Sequence, residues 1–188
     1  MNYQNLHNRR KELSKIGEKL DWNSDEARKI FMEMDCIDHF FECEGYKTYE
    51  KIAEFCKGKN FEAIWDIGCA YGHQSEIFKQ MGLSYIGIDR DNFGFWNRDK
   101  FTYITKKYPF KIHAKENDIA VSVLCITWNC YLYNGNKDLN KQLTALSRDF
   151  NNVILYIDCD KISKVSKYFK SKYKIIDGLY LFSKKEGR

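Results

Sequence analysis

Two aspartates and the small residues between them carry the chemistry that this sequence offers. Asp66 closes an apolar run, Ala63 to Trp65, and opens into Gly68, Cys69, Ala70 and Gly72. Asp89 closes a second apolar run, Leu83 to Ile88, 23 residues after Asp66. Between the runs Ile77, Phe78 and Met81 share one helical face, and Gly82 follows as a stop. The spacing predicts a strand, a tight turn, a helix and a second strand parallel to the first, with both carboxylates at the carboxyl ends of neighbouring strands. Ligands of open α/β sheets sit beyond those ends. Glycines let the backbone approach a ligand with no Cβ in the way, and a carboxylate ending the second strand is placed to accept both hydroxyls of a ribose. The expected ligand is a nucleoside.

The glycine spacing narrows the class. A dinucleotide site uses GxGxxG, whereas here Ala stands at 70 and the next glycine at 72, so an NAD-binding oxidoreductase is disfavoured. The run DIGCAYG followed by GID resembles the first two motifs of class I S-adenosylmethionine-dependent methyltransferases, in the variant whose central glycine is Ala. The resemblance implies that the loop with Gly68, Cys69, Ala70 and Gly72 takes the methionine part of S-adenosylmethionine and that Asp89 takes the ribose. By the same resemblance Asp66 helps to organise the loop and the ligand's amino group, and Arg90 flanks the adenine with Phe93 as a stacking partner. A looser agreement lies in KKYPF followed by NDIAVSVLCIT, where Pro109, Phe110 and Asp118 match the family's proline turn and the acid that opens strand four. The acid that commonly follows strand three is missing, since positions 104 to 107 are Ile, Thr, Lys and Lys.

Strand four is expected over Ile119 to Ile126, continuously apolar as a central parallel strand is. It delivers Thr127 to Tyr131 to the face where a methyl group would be transferred. Methyltransferases that modify bases carry an (Asn/Asp/Ser)-Pro-Pro-(Tyr/Phe) run there; WNCY keeps Asn129 and Tyr131 and has neither proline. On this resemblance Asn129 is the candidate catalytic residue, and Trp128 and Tyr131 are candidate substrate contacts. The structural alternative is an aromatic loop packed under the N-terminal helices.

The elements that position these residues follow from periodicity. The first 58 residues read as helices: a thin stripe of Leu6, Leu13, Ile16 and Leu20, a second helix capped by Asn23 or Ser24 with Ala27, Ile30, Phe31, Met34 and Ile37 inward, and a third capped by Thr48. Gly45 is expected to end the second and Gly58 the third. Phe101 to Thr105 reads as strand three and Val153 to Ile157 as strand five. Between strands four and five, Asn136 or Asp138 caps a helix with Leu139, Leu143, Leu146 and Phe150 in one stripe. A final helix opens at Asp160, with Ile162, Val165 and Phe169 inward and Lys161, Lys164, Lys167, Lys170 and Lys172 outward, before a hairpin turning at Asp177-Gly178. The expected fold is α/β and Rossmann-like: a mostly parallel sheet with helices on both faces, a terminal antiparallel hairpin, a helical extension or cap over 1–58, and an S-adenosylmethionine-binding domain over 59–188.

Composition bounds the rest. At 188 residues and 44% hydrophobic the chain buries one core and leaves no room for a second full domain. Cys36, His39, Cys43 and Cys56 offer zinc-type ligands, but there is no CxxC knuckle and Ile37, Phe40 and Phe41 surround them, so they read as apolar packing and no metal is expected. Seven scattered cysteines, no apolar run of membrane-spanning length and no apolar centre in the first residues predict a cytoplasmic protein with no membrane partner. A net charge of +5, concentrated over 161 to 185, permits nucleic acid binding without requiring it. The expected function is methyl transfer from S-adenosylmethionine to an acceptor the sequence does not name, whether small molecule, RNA or protein. A non-catalytic S-adenosylmethionine-binding or interaction protein on the same fold is the competing class. Oligomeric state is not specified by the sequence.

Overall fold

Seven strands, β1 (Ala63–Ile67), β2 (Ser84–Asp89), β3 (Thr102–Thr105), β4 (Ile119–Ser122), β5 (Asn152–Tyr156), β6 (Ser171–Ile176) and β7 (Leu179–Ser183), form one sheet in the order β3-β2-β1-β4-β5-β7-β6. The first five run parallel, and β7 is antiparallel to both β5 and β6. The computed structural model describes residues 3–42, 45–93, 101–123, 125–126 and 135–184. Its helices are α1 (Gln4–Gly17), α2 (Asp25–Glu42), α3 (Gly45–Cys56), α4 (Ser75–Gln80), α5 (Gly135–Asp149) and α6 (Ile162–Val165).

Alternation along the strands sends residues to opposite faces. On one face Ile67, Ala120, Val153 and Phe182 pack with Leu139, Leu143, Leu146 and Phe150 of the α5 stripe. On the other Ile64, Val121 and Ile154 pack with Tyr49, Ile52 and Ala53 of α3 and with Ile77 and Phe78 of α4. The fold is therefore α/β with helices on both faces of a mostly parallel sheet and an antiparallel end, as the periodicity implied. Strand order reverses between β1 and β4, and in open sheets the crevice at that reversal is where ligands bind.

Several boundaries differ from expectation. Gly45 does not end α2 but opens α3, which places Thr48 inside the helix rather than at its cap; burial of Tyr49 and Ile52 extends the helix upstream. Ser24 is the α2 cap, its Oγ accepting from Ala27 N at 3.1 Å. Strand four stops at Ser122, four residues short of Ile126, because the Ser122 hydroxyl takes over the bonding. Helix α5 starts at Gly135, so Asn136 and Asp138 lie in its first turns rather than at its cap. The single final helix is replaced by α6 between 3-10 turns at Cys159–Lys161 and Ser166–Tyr168, with Phe169 extended. Lys161 is not outward there: its side chain is 14% exposed and held by Asp158 at 2.6 Å. No described helix is long and apolar enough to cross a membrane. Cys43 lies outside the described residues.

The N-terminal helices are held to each other and to the sheet. Leu13, Met34 and Ile37 form a cluster between α1 and α2. Beside it Arg9 Nε and Nη2 donate to the two carboxylate oxygens of Glu33, both at 2.9 Å. Tyr3 is bonded to Glu50 of α3, and Asn5 Nδ2 donates to Glu76 of α4 at 3.3 Å. Glu33 is only 6% exposed, so removing its cation strands a buried charge. Arg9→Met is expected to lower stability by about 2 kcal/mol, below the range for a fully buried pair because Arg9 reaches solvent. Arg9→Met with Glu33→Leu is expected to recover most of that loss, checked by urea denaturation of the single and double variants.

Candidate functional site

The loop after β1 is laid across the end of β2. Gly68 N and Cys69 N both donate to Ile88 O, at 2.8 and 3.2 Å, so the ladder between the strands continues past β1. Ala70 N then donates to Oδ2 of Asp89 at 2.9 Å, and Asp91 N donates to Oδ1 at 3.2 Å. To reach that carboxylate Ala70 adopts φ 47°, in the left-handed region that Gly68 and Gly72 also occupy at 85° and 68°. The conformation costs an alanine about 1–2 kcal/mol, which the charge-assisted bond offsets. A carboxylate offers about four lone-pair sites. The backbone takes one on each oxygen of Asp89 and leaves the others to a cleft that Asp89 lines.

Gly68 is needed for close approach, and the approaching group is the chain itself. A Cβ at 68 would lie 2.2 Å from both Cβ and Sγ of Cys125. Ser122 draws that segment in: its Oγ donates to Ile67 O at 2.9 Å and accepts from Ile126 N at 3.2 Å. The end of β1 and the chain after β4 are thereby pinned together.

Behind the loop Asp66 is fully buried. Its Oδ2 accepts from Gln74 Nε2 and from Tyr85 Oη, both at 2.6 Å. Gln74 Nε2 also donates to Cys69 O at 3.0 Å, tying the carboxylate to the loop. Asp66 Oδ1 has no partner among the described residues. Burial raises this carboxyl to about 6; the bonds from Tyr85 and Gln74 oppose the rise, and the negative charge of Asp89 adds to it. Burial likewise raises the Cys69 thiol, so it is held neutral. His73, stacked on Tyr71 and edge-on to Phe40 of α2, is lowered to about 3 by burial and by the charge of Arg9, and is uncharged.

The cleft holds about 270 Å³ at the carboxyl ends of β1, β2, β3 and β4. Gly68 and Ala70 wall it on the β1 side, and Asp89, Arg90 and Phe93 on the β2 side. Lys106, Lys107 and Tyr108 follow β3, Cys125 and Ile126 follow β4, and α5 adds Asp138 and Gln142. Arg90 is exposed and paired with Asp91 at 2.8 Å, while Phe93 meets Tyr71 at 5.3 Å between ring centroids. Of the residues singled out in the sequence, Gly68, Ala70, Asp89, Arg90 and Phe93 therefore meet at one cleft. Asp66, Cys69 and Gly72 support its floor from behind. Trp128, Asn129 and Tyr131 lie outside the described residues, with Thr127 and Cys130. Gln74, Ser122, Cys125, Asp138 and Gln142 were missed; only the last two left a sequence signal, a polar pair four residues apart beside the Leu139 and Leu143 stripe.

No protein-family model matches the chain, and no curated protein matches it in sequence. Solved structures do match in shape. The mitomycin 7-O-methyltransferase MmcR superposes with a TM-score of 0.59 at 10% identity, over 91% of this chain and 60% of that one. Monomeric WbdD matches with a TM-score of 0.52 at 16% identity, over 76% of this chain and 40% of its own. DesVI of Streptomyces venezuelae matches with a TM-score of 0.50 at 16% identity, over 65% and 56%. The chain thus spans between 40% and 60% of the length of these structures. The fold they share with it is that of class I methyltransferases.

The buried carboxyl generates a pH signature. Asp66 titrates above its ordinary value of 3.8 in the folded chain, so its stabilising contribution is complete below that value and is lost as pH rises through about 6. Relative to Asp66→Asn, the wild type is expected to lose on the order of 3 kcal/mol between pH 4 and pH 7. Urea midpoints of both proteins across that range check it, and parallel curves would place the titration elsewhere.

Proposed function

We propose that the chain binds S-adenosylmethionine in this cleft and transfers its methyl group to an acceptor. The observation that carries the reading is the Asp89 carboxylate, anchored by backbone N–H groups on both oxygens yet keeping lone pairs on a cleft walled by Gly68 and Ala70. Those lone pairs suit the two hydroxyls of a ribose. Phe93 and Arg90 supply a ring and a planar cation for the adenine. In place of the acid that usually follows strand three, Asp138 and Gln142 are the polar side chains that α5 presents for the adenine edge. The loop from Gly68 through Cys69 to Gly72, braced by Gln74 and Asp66, takes the methionine end, and the Asp66 carboxylate, buried behind the loop, sets a negative charge beneath that end. When bound, the group supplies a methyl made electrophilic by a sulfonium, so alignment accounts for most of the catalysis and a dedicated base is optional.

Residues 127–131 follow Ile126, itself a wall of the cleft. In this reading Asn129 accepts a hydrogen bond from an acceptor amine or hydroxyl, and Trp128 and Tyr131 hold a flat substrate. A non-catalytic S-adenosylmethionine-binding protein is the alternative, favoured by WNCY lacking both prolines of the base-modifying pattern.

Calorimetric titration with S-adenosylmethionine and with S-adenosylhomocysteine tests binding, and mass spectrometry of species methylated in cell extract tests transfer. Binding without transfer to any acceptor would favour the non-catalytic reading. Charge-assisted hydrogen bonds are worth about 1.5–3 kcal/mol, so Asp89→Ala is expected to weaken S-adenosylhomocysteine by roughly ten-fold or more. The 2′,3′-dideoxy analogue should lose less affinity than S-adenosylhomocysteine on the same substitution, since it loses only the loop that the carboxylate also fastens; an equal loss for both ligands would mean that another residue reads the ribose. Asn129→Ala is expected to lower turnover far more than it lowers cofactor affinity, as for a contact made chiefly in the transition state. An unchanged rate with a purified acceptor would remove Asn129 from the site.

A further inference from the structure

The cofactor cleft does not end at its own walls. A small concavity of about 60 Å³ shares Lys107, Tyr108, Asp138 and Gln142 with it, and shares Pro109 and Lys141 with an open trough of about 450 Å³ that Phe110, Lys111, Thr144 and Arg148 also line. One wall is Pro109 to Lys111, within the segment KKYPFKIHAK, residues 106–115, which contains no acidic residue. The other is the outer side of α5. Lys106, Lys107, Lys111 and Lys141 are all exposed, and none of them makes an ion pair among the described residues. Of the nearby carboxylates, Asp149 is held by Arg148 at 2.6 Å, and Asp138 lies at the junction with the cofactor cleft. Cations without counter-charges repel one another and persist more readily where an anionic partner supplies the charge.

The aromatics between them decide what kind of anion. Phe110 is only partly buried, and Lys106 Nζ lies 4.8 Å from its ring centroid. Tyr108 meets Phe110 edge-on at 6.1 Å. Lysines alternating with a ring in a concave track fit a flexible strand that carries a phosphate and a flat base at every step. An acidic peptide would use the cations and leave the ring idle.

The geometry points to the trough between residues 106–111 and α5 as a binding surface for single-stranded nucleic acid. It rests on the proposed function only for the further step that the bound strand presents the methyl acceptor; binding itself needs no cofactor. The test uses the full chain, a fluorescent twelve-nucleotide oligouridylate, and fluorescence anisotropy at several salt concentrations without cofactor. Lys111→Glu with Lys141→Glu, both outside the cofactor cleft, is expected to weaken binding at least ten-fold at 100 mM salt. It should also reduce the slope of log affinity against log salt by about 1.4, because two phosphates of a single strand are no longer neutralised. Lys111→Gln with Lys141→Gln should fall between, and Lys167→Glu with Lys172→Glu, on the other basic face, should bind as wild type does. Titration with S-adenosylhomocysteine is expected to be the same for all, which separates failure of the trough from failure of the cofactor site. The inference is overturned by no binding of the oligonucleotide to the wild type, by equal binding to the groove variant, by an equal loss in the Lys167 and Lys172 variant, or by polyglutamate binding as tightly as the oligonucleotide.

Discussion

Everything at the carboxyl edge of the sheet depends on one acceptor, the side chain of Asp89. The parallel ladder between β1 and β2 ends at Ile67 and Ile88, and the next N–H groups of the β1 loop still need partners. Ile88 O takes two of them, and the Asp89 carboxylate takes the third, from Ala70. On the opposite edge Lys106 N donates to Asp89 O at 2.7 Å, fastening the chain after β3. Two consecutive residues, Ile88 and Asp89, thus close the backbone accounting of β1, β2 and β3 where a parallel sheet would otherwise fray. The left-handed conformation at Ala70 follows from that geometry, and so does the depth of the cleft, since the loop is held down on the strand end rather than standing off it.

A second constraint works against the first. Asp66 and Asp89 place two carboxyls at the end of neighbouring strands, one fully buried and one at the cleft. Burial makes ionisation of Asp66 harder, and the negative charge of Asp89 adds to the cost. The bonds from Tyr85 and Gln74 return part of it. A site built this way is improved by a positive charge arriving in the cleft, because such a charge stabilises both carboxylates without any rearrangement of the loop. A sulfonium compound with an ammonium group meets that requirement better than a neutral nucleoside does.

The parts of this arrangement that were legible in the sequence are the ones fixed by local chemistry. DIGCAYG and GID could be read because a strand end, a left-handed turn and an acid are specified by residues within a few positions of each other. The stripe of α5 was legible for the same reason, Leu139, Leu143 and Leu146 repeating at helical spacing. What escaped depends on contacts distant in the chain. Ser122 ends β4 by bonding to Ile67 across the sheet, and nothing around Ser122 announces it. Gly68 read as a place for a ligand, whereas its nearest neighbour is Cys125, brought there by the same serine. Thr48 looked like a cap because threonine favours that position, yet tertiary burial of Tyr49 and Ile52 carried α3 past it to Gly45.

Charge was legible as a total and not as a distribution, and topology explains the difference. The lysines after residue 161 dominate the sequence's basic excess, and three of them, Lys170, Lys172 and Lys174, belong to or adjoin β6, a strand at the edge of the sheet. Lys172 and Lys174 are exposed there beside Tyr173, with Lys174 paired to Asp177 at 2.5 Å. Lysine on an exposed edge strand discourages pairing with another chain, which gives that run a structural reason to exist. Lys106 and Lys107 directly follow β3, the strand at the other edge of the sheet, whereas Lys111 and Lys141 adjoin no strand edge. Lys106 and Lys107 line the cleft and Lys111 and Lys141 the adjoining trough, with no carboxylate paired to them among the described residues and the partly exposed ring of Phe110 among them. Their positions, rather than their number, are what set them apart from the basic run nearer the end of the chain.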